Sequence, residues 1–230
     1  MKTLECEKLS KNYGSTCAVK DITCTLQAGK IYALVGPNGS GKSTWLKMLA
    51  GLVKATSGKI LFDGVQISNA TKKCVAFMPS ESFFYNWMDV NDLAKYYKTF
   101  FADFDTERFY TMCKEMKIEE NKKASNLSTG TLAKLKIALT MARRASLYLL
   151  DEPLNGIDIL AREEIISTIV STLGDDCTLV VASHLIEELE KIADIALFIK
   201  DGVLIEEWNC EEKRENRNLS VIERYKEIFA

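Results

Sequence analysis

The chain is most informative first in what it lacks. It has one histidine in 230 residues, and its seven cysteines (Cys6, Cys17, Cys24, Cys74, Cys113, Cys177 and Cys210) are scattered, with no C-x-x-C pair. That spacing speaks against a zinc site and against a disulfide framework, and it fits reduced thiols in a cytosol. No apolar run approaches the roughly 18 residues of a membrane span. The first eight residues, Met1 to Lys8, are charged and carry no apolar core, so no secretory signal is expected. Neither sign of charge is in surplus, with 30 basic and 32 acidic residues, so nucleic acid is not expected as the main partner. Repeats and low-complexity segments are also missing. What remains is a chain long enough for one large domain, or a domain with a subdomain, able to bury an ample core without staples.

Against that background one segment stands out. Gly36-Pro37-Asn38-Gly39-Ser40-Gly41-Lys42-Ser43-Thr44 fits the phosphate-loop pattern G-x-x-x-x-G-K-[ST]. The apolar run Ile31–Val35 before it is of strand type, and Trp45–Ala50 after it reads as a helix start. A strand that turns through glycines into a helix lets successive backbone N–H groups surround a polyphosphate. Lys42 is expected to reach the β- and γ-phosphates, and the Ser43 hydroxyl to join a magnesium shell. The expected ligand is therefore a nucleoside triphosphate with Mg2+.

Further along, Leu147–Leu150 is an apolar strand ending in Asp151-Glu152. Alone, such a pair is commonly a solvated strand end. After a phosphate loop, Asp151 is suited to hold magnesium and Glu152 to act as base for an attacking water. His184, next to Ser183, follows the apolar strand Thr178–Ala182 and stands where ligands of parallel sheets collect. From there a neutral imidazole could bond the γ-phosphate on one side and Glu152 on the other. Leu127-Ser128-Thr129-Gly130-Thr131 opens a helix, with Ser128 as its natural cap and a first turn that attracts anions.

Between these motifs the spacing predicts short strands at 57–65 and 74–78, a helix from Thr131, a helix over 159–173, and strands at 195–200 and 203–207 around the turn Asp201-Gly202. Eleven aromatics fall between positions 83 and 110 and mark a separately packed helical insert in an α/β core. Most of them are expected to be core. The Phe83–Met88 stretch is expected to be an exposed contact surface. The tail from Cys210 is charged and ends in an amphipathic stretch.

Taken in order, phosphate loop, helical insert, Leu-Ser-x-Gly-x, Asp-Glu-Pro, Asn-Gly-Ile-Asp and strand-Ser-His resemble the nucleotide-binding subunit of ATP-binding cassette (ABC) transporters. The resemblance covers roughly residues 1–208. It implies an α/β fold: a P-loop NTPase core with a mostly parallel sheet, an N-terminal antiparallel β subdomain, a helical subdomain at about 81–145, and a short charged tail over 209–230. Tyr13 would stack on adenine, Asp151 would hold magnesium, Glu152 the water, and His184 would sense the γ-phosphate. Ser128 and Gly130 would cap ATP bound to a second copy in a head-to-tail dimer, with Asp158 at the seam. A separate transmembrane permease subunit is the implied partner, on the cytoplasmic face of the cell membrane. The insert, with Tyr85–Val90 and Phe100–Asp105, looks like the bacterial exporter branch associated with drug or antimicrobial-peptide resistance.

Two positions depart from that family pattern. The signature, usually Leu-Ser-Gly-Gly-Gln, reads Leu-Ser-Thr-Gly-Thr, keeping the two residues that make capping contacts. The glutamine that usually follows the strand ending near Pro79 is replaced by Ser80, which could reach magnesium only through water, and Glu81 beside it adds a negative charge. The alternative is a soluble ABC ATPase in cofactor assembly or another non-transport role. A GTPase fits poorly, because Asn121-Lys122-Lys123-Ala124 lacks the aspartate that selects guanine.

Overall fold

A computed structural model describes residues 3–68, 71–85, 87–212 and 219–230. Two sheets and a helical layer are built in chain order. Strands β1 (Leu4–Tyr13) and β2 (Thr16–Leu26) form an antiparallel hairpin, and β3 (Ile31–Val35) leads into helix α1 (Lys42–Leu49). After β4 (Ser57–Phe62), β5 (Val65–Gln66) and β6 (Val75–Met78) come helices α2 (Val90–Phe100), α3 (Thr106–Glu115) and α4 (Thr129–Met141). The chain then alternates β7 (Leu147–Asp151), α5 (Ile159–Thr172), β8 (Thr178–Ala182), α6 (Ile186–Glu190), β9 (Ile195–Lys200) and β10 (Val203–Asn209), and closes with α7 (Val221–Phe229).

The larger sheet has the order β10-β9-β3-β8-β7-β6, parallel except for the antiparallel edge pair β10–β9. Its inner strands are buried on both faces, which explains their unbroken apolar runs. Along β3, Ala33 and Val35 face one core while Tyr32 and Leu34 face the other; along β7, Tyr148 and Leu150 alternate with Leu147 and Leu149 in the same way. The first core lies under α2 to α5. The second is closed by α1, through Trp45, Leu46 and Leu49, and by the small antiparallel sheet β2-β1-β4-β5.

Helix starts follow local chemistry. Asp89 accepts from the Asp92 N–H, with the reciprocal bond also made, at the head of α2; Asp105 caps α3 through the Arg108 N–H. The insert is tied to the sheet by Arg143. Its buried guanidinium pairs with Asp103 at 3.0 Å and donates to the carbonyls of Val75 (2.8 Å) and Lys73 (3.1 Å), while stacking on Phe101.

The strand expected over 57–65 closes at its Asp63-Gly64 turn, where both residues take positive φ and reverse the chain into β5. Two local expectations are corrected. Cys74 belongs to a 3-10 turn rather than to the strand. Within the Phe83–Met88 stretch, Tyr85 and Trp87 are exposed (66% and 62%), Phe83 and Phe84 pack against the core, and Met88 is buried; residue 86 lies outside the described residues. Tyr96 and Phe100, one turn apart on α2, are exposed as well. The terminal amphipathic stretch is a docked helix: Val221 is buried, its N–H donates to Glu190 at 2.9 Å, and Arg224 pairs with Glu206 at 2.9 Å. No helix among the described residues is long and apolar enough to cross a membrane.

Candidate functional site

The phosphate loop spans the C-terminal end of β3 and the start of α1, at the edge where ligands of parallel sheets gather. Gly41 sits at φ 105°, and a Cβ there would lie 2.3 Å from the Ala18 carbonyl oxygen, so only glycine fits between the loop and β2. The Ser40 carbonyl accepts from the Gly202 N–H at 2.9 Å, anchoring the loop to the β9–β10 turn. Lys42 is buried, and its Nζ donates to the Gly36 (2.8 Å) and Pro37 (3.0 Å) carbonyls, which holds the ammonium over the loop. Burial draws its pKa down, opposed by the charges of Glu152 and Asp151 nearby. Pro37, Asn38 and Gly39 are exposed at the tip, whereas Gly36 and Ser40 are buried and Ser43 and Thr44 are half-buried on the first helical turn.

Asp151 ends β7 and is 1% exposed, yet neither of its carboxylate oxygens has a well-formed hydrogen bond. Burial raises its pKa, while the Ser43 hydroxyl pulls the other way and Glu152 adds to the rise. A buried carboxylate without partners is costly, and a hard divalent cation held with Ser43 offsets that cost. The residues present therefore fit a metal. Ser80 lies exposed at the end of the β6 loop, with its backbone carbonyl, rather than its hydroxyl, engaged: it accepts from Lys136 Nζ at 2.7 Å.

Glu152 departs from β7 with φ 52°, a left-handed backbone that costs a non-glycine residue on the order of 1–3 kcal/mol. This kink separates its side chain from that of Asp151. Its N–H donates to the Ala182 carbonyl (2.8 Å), and its Oε2 accepts from Ser183 Oγ (3.0 Å) and lies 3.0 Å from His184 Nδ1. Strands β7 and β8 pair Asp151 with Ala182, so the register itself brings Glu152 beside Ser183 and His184. An ionised Glu152 only accepts, so the Nδ1 facing it carries the proton. A neutral ring then has no N–H left for a phosphate oxygen, and donating to both groups takes the imidazolium.

Elsewhere, Ser128 caps α4, its Oγ accepting from the Thr131 N–H at 3.2 Å, and it is exposed. A Cβ on Gly130 would meet the Gly156 carbonyl oxygen at 3.1 Å, so this turn is packed on the Asn155–Ile157 loop. Asp158, also exposed, caps α5 through the Ala161 N–H at 3.0 Å. Tyr13 is exposed at the end of β1, with Lys11 Nζ 4.9 Å from its ring centre. Lys42, Asp151, Glu152 and His184 thus share the C-terminal edge of the parallel sheet, while Ser128, Gly130 and Asp158 form a separate surface at the head of α4 and α5.

Three participants were not evident as site residues from the sequence. In the sequence Ser183 is simply the neighbour of His184, although a hydroxyl beside the sole histidine is a usable signal. Lys47 pairs with Glu81 at 3.4 Å, an exposed contact of small energetic weight that nevertheless balances the charge next to Ser80. Lys136 falls on the same α4 face as Ala133 and Thr140, both buried, and a lysine on an otherwise buried stripe was the available clue.

Comparison with known proteins shows the family and the fold. The ABC transporter family model matches residues 19–155. The chain is 32% identical over 215 residues to the ABC transporter ATP-binding protein YtrB of Bacillus subtilis, covering 92% of this chain and 74% of that one. It is 31% identical to the lantibiotic transport ATP-binding protein SrtF of Streptococcus pyogenes, covering 88% and 89%. In three dimensions it superposes on the ATP-binding subunit of an ABC transporter with a TM-score of 0.88 at 22% identity, over 99% of both chains. The chain belongs to the ABC transporter family. Within that family it is an ATPase subunit, built on the nucleotide-binding cassette fold.

Proposed function

We propose that two copies of this chain close head to tail around two Mg2+-ATP and that the hydrolysis cycle drives export through a separate transmembrane permease at the cytoplasmic face of the membrane. The observation that carries the reading is the convergence of Lys42, Asp151, Glu152 and His184 on one sheet edge. In this reading residues 36–44 bind the phosphates and Tyr13 the adenine. Magnesium, held by Ser43 and Asp151 and, through water, by Ser80, supplies charge neutralisation for the phosphoryl group.

The residues of the chain do the rest. Lys42 orients the terminal phosphates. Glu152, fixed by Ser183 and His184, takes the proton of the attacking water, and its left-handed backbone holds the carboxylate in place. His184, oriented by Glu152, contacts the γ-phosphate. Ser128 and Gly130 at the head of α4 close over the partner copy's nucleotide, with Asp158 at the seam.

Relatives named for lantibiotic, SkfA peptide and bacitracin transport favour export of peptide-like substrates over a role in cofactor assembly. The exposed Tyr85–Trp87 stack, with ring centres 6.0 Å apart, is the surface offered to the permease. The test is ATP-dependent dimerisation of the Glu152→Gln chain by light scattering, together with capture of a multi-span protein from solubilised membranes. A chain that stays monomeric with ATP and metal and captures no such protein overturns the reading.

A further inference from the structure

At the end of β6 the Ser80 side chain is exposed and makes no direct side-chain tie across the loop. The tie at this loop comes from the opposite direction. Lys136, on the third turn of α4, is 6% exposed, and its Nζ reaches the Ser80 carbonyl at 2.7 Å with the Phe83 ring centre 5.9 Å away. A lysine is rarely buried without a reason, and its ammonium carries three donors, of which the Ser80 carbonyl is the one hydrogen-bond acceptor among the described residues. The charges of Glu81 and Asp151 both act on it favourably, against the cost of burial. One side chain therefore touches the loop between sheet and insert, which the pairing of Met78 with Leu150 sets beside Asp151, and rises from the helix whose first residue is capped by Ser128.

We propose that Lys136 is a positioning residue that takes over the link between the phosphate site and the signature helix in this chain. Its ammonium holds the 79–81 loop to α4, so that filling the site at Asp151 sets the position of Ser128 for the partner copy. The inference rests on the nucleotide site proposed above.

The experiment uses the full chain in the Glu152→Gln background and reads the ATP concentration at half-dimerisation by light scattering. Binding of a fluorescent ATP analogue to the same variants is measured separately. Lys136→Met is expected to raise the half-dimerisation concentration at least tenfold while analogue affinity moves less than twofold, with Lys136→Arg recovering most of the loss. Adding Ser80→Gln should restore a side-chain link, so the cycle of Ser80→Gln and Lys136→Met is expected to be non-additive. Should Lys136→Met fail to fold, Lys136→Gln enters the same cycle. Unchanged dimerisation in a folded Lys136 variant, or strict additivity, overturns this inference while leaving the site intact. If the unmodified Lys136 chain neither binds the analogue nor dimerises, the reading of the nucleotide site falls, and this inference with it.

Discussion

His184 Nδ1 lies 3.0 Å from Glu152 Oε2, and the same carboxylate oxygen takes the Ser183 hydroxyl at 3.0 Å. Two donors thus fix one carboxylate whose backbone is already held in a left-handed conformation. Glu152→Gln removes the carboxylate proposed as the base and keeps the shape. ATP hydrolysis is expected to fall by about 10²–10⁴-fold with ATP binding retained. Phosphate release and nucleotide binding measured on the same sample decide it; near-normal turnover would take Glu152 out of its role.

Asp151 is buried with no well-formed hydrogen bond to either carboxylate oxygen, and burial raises its pKa. For a raised carboxylate, the proton-linked stability is fully present below the unfolded pKa and is lost as pH climbs through the folded one, so at neutral pH the charge weakens the apo fold. Asp151→Asn is therefore expected to raise the melting temperature without metal or nucleotide, by about 2–4 °C per kcal/mol in a domain of this size, while abolishing hydrolysis. Added magnesium and ATP should stabilise the Asp151 chain and not the variant. Calorimetry with and without both ligands is the check.

The exposed cap at Ser128 faces outward at the head of α4. Ser128→Arg places a bulky cation on the surface proposed to cover a partner's nucleotide. ATP-driven dimerisation of the Glu152→Gln chain is expected to be lost, with ATP binding by each protomer unchanged. An undiminished dimer peak on sizing would contradict the assignment.

The Tyr85–Trp87 stack is exposed, while Phe83 leans on the core. Trp87→Glu is expected to break permease association and leave the basal ATPase of the isolated subunit unaltered. Phe83→Glu should lower the melting temperature as well. Co-purification and ATPase assays on both variants separate docking from packing.

Asp105 caps α3 and pairs with Arg144 at 2.7 Å, and its pKa is lowered, first by the Arg108 N–H and then by Arg144. A lowered carboxylate contributes stability above its unfolded pKa and loses it as pH falls through the folded one. Asp105→Ala is expected to cost about 1 kcal/mol at pH 7. The gap from the parent should close as the pH drops below the usual carboxylate range near 3.8. Urea melts at pH 7 and pH 3 test it.

Much of the site was legible because its information is local. A phosphate loop needs glycines, a lysine and a flanking strand and helix, all within a few residues, and β7 and β8 announce themselves as doubly buried strands. What stayed hidden depends on tertiary placement. Nothing near Lys136 in sequence points to Ser80, 56 positions away. The burial of Met88 beside exposed Trp87, and the docking of α7 by Glu190 and Glu206, depend on surfaces assembled from distant parts of the chain. The proton count at His184 also needed the observed partner, since the ring's neighbours decide which nitrogen is left to face a phosphate.

The tight seat of Gly130 on Gly156 ties two stretches of one protomer into a rigid lever. One end is the turn just downstream of Glu152; the other is the Ser128-capped head of α4. The contact is made through main chain at Gly156, so a shift of that turn is passed to the head of α4 without a flexible side chain to absorb it.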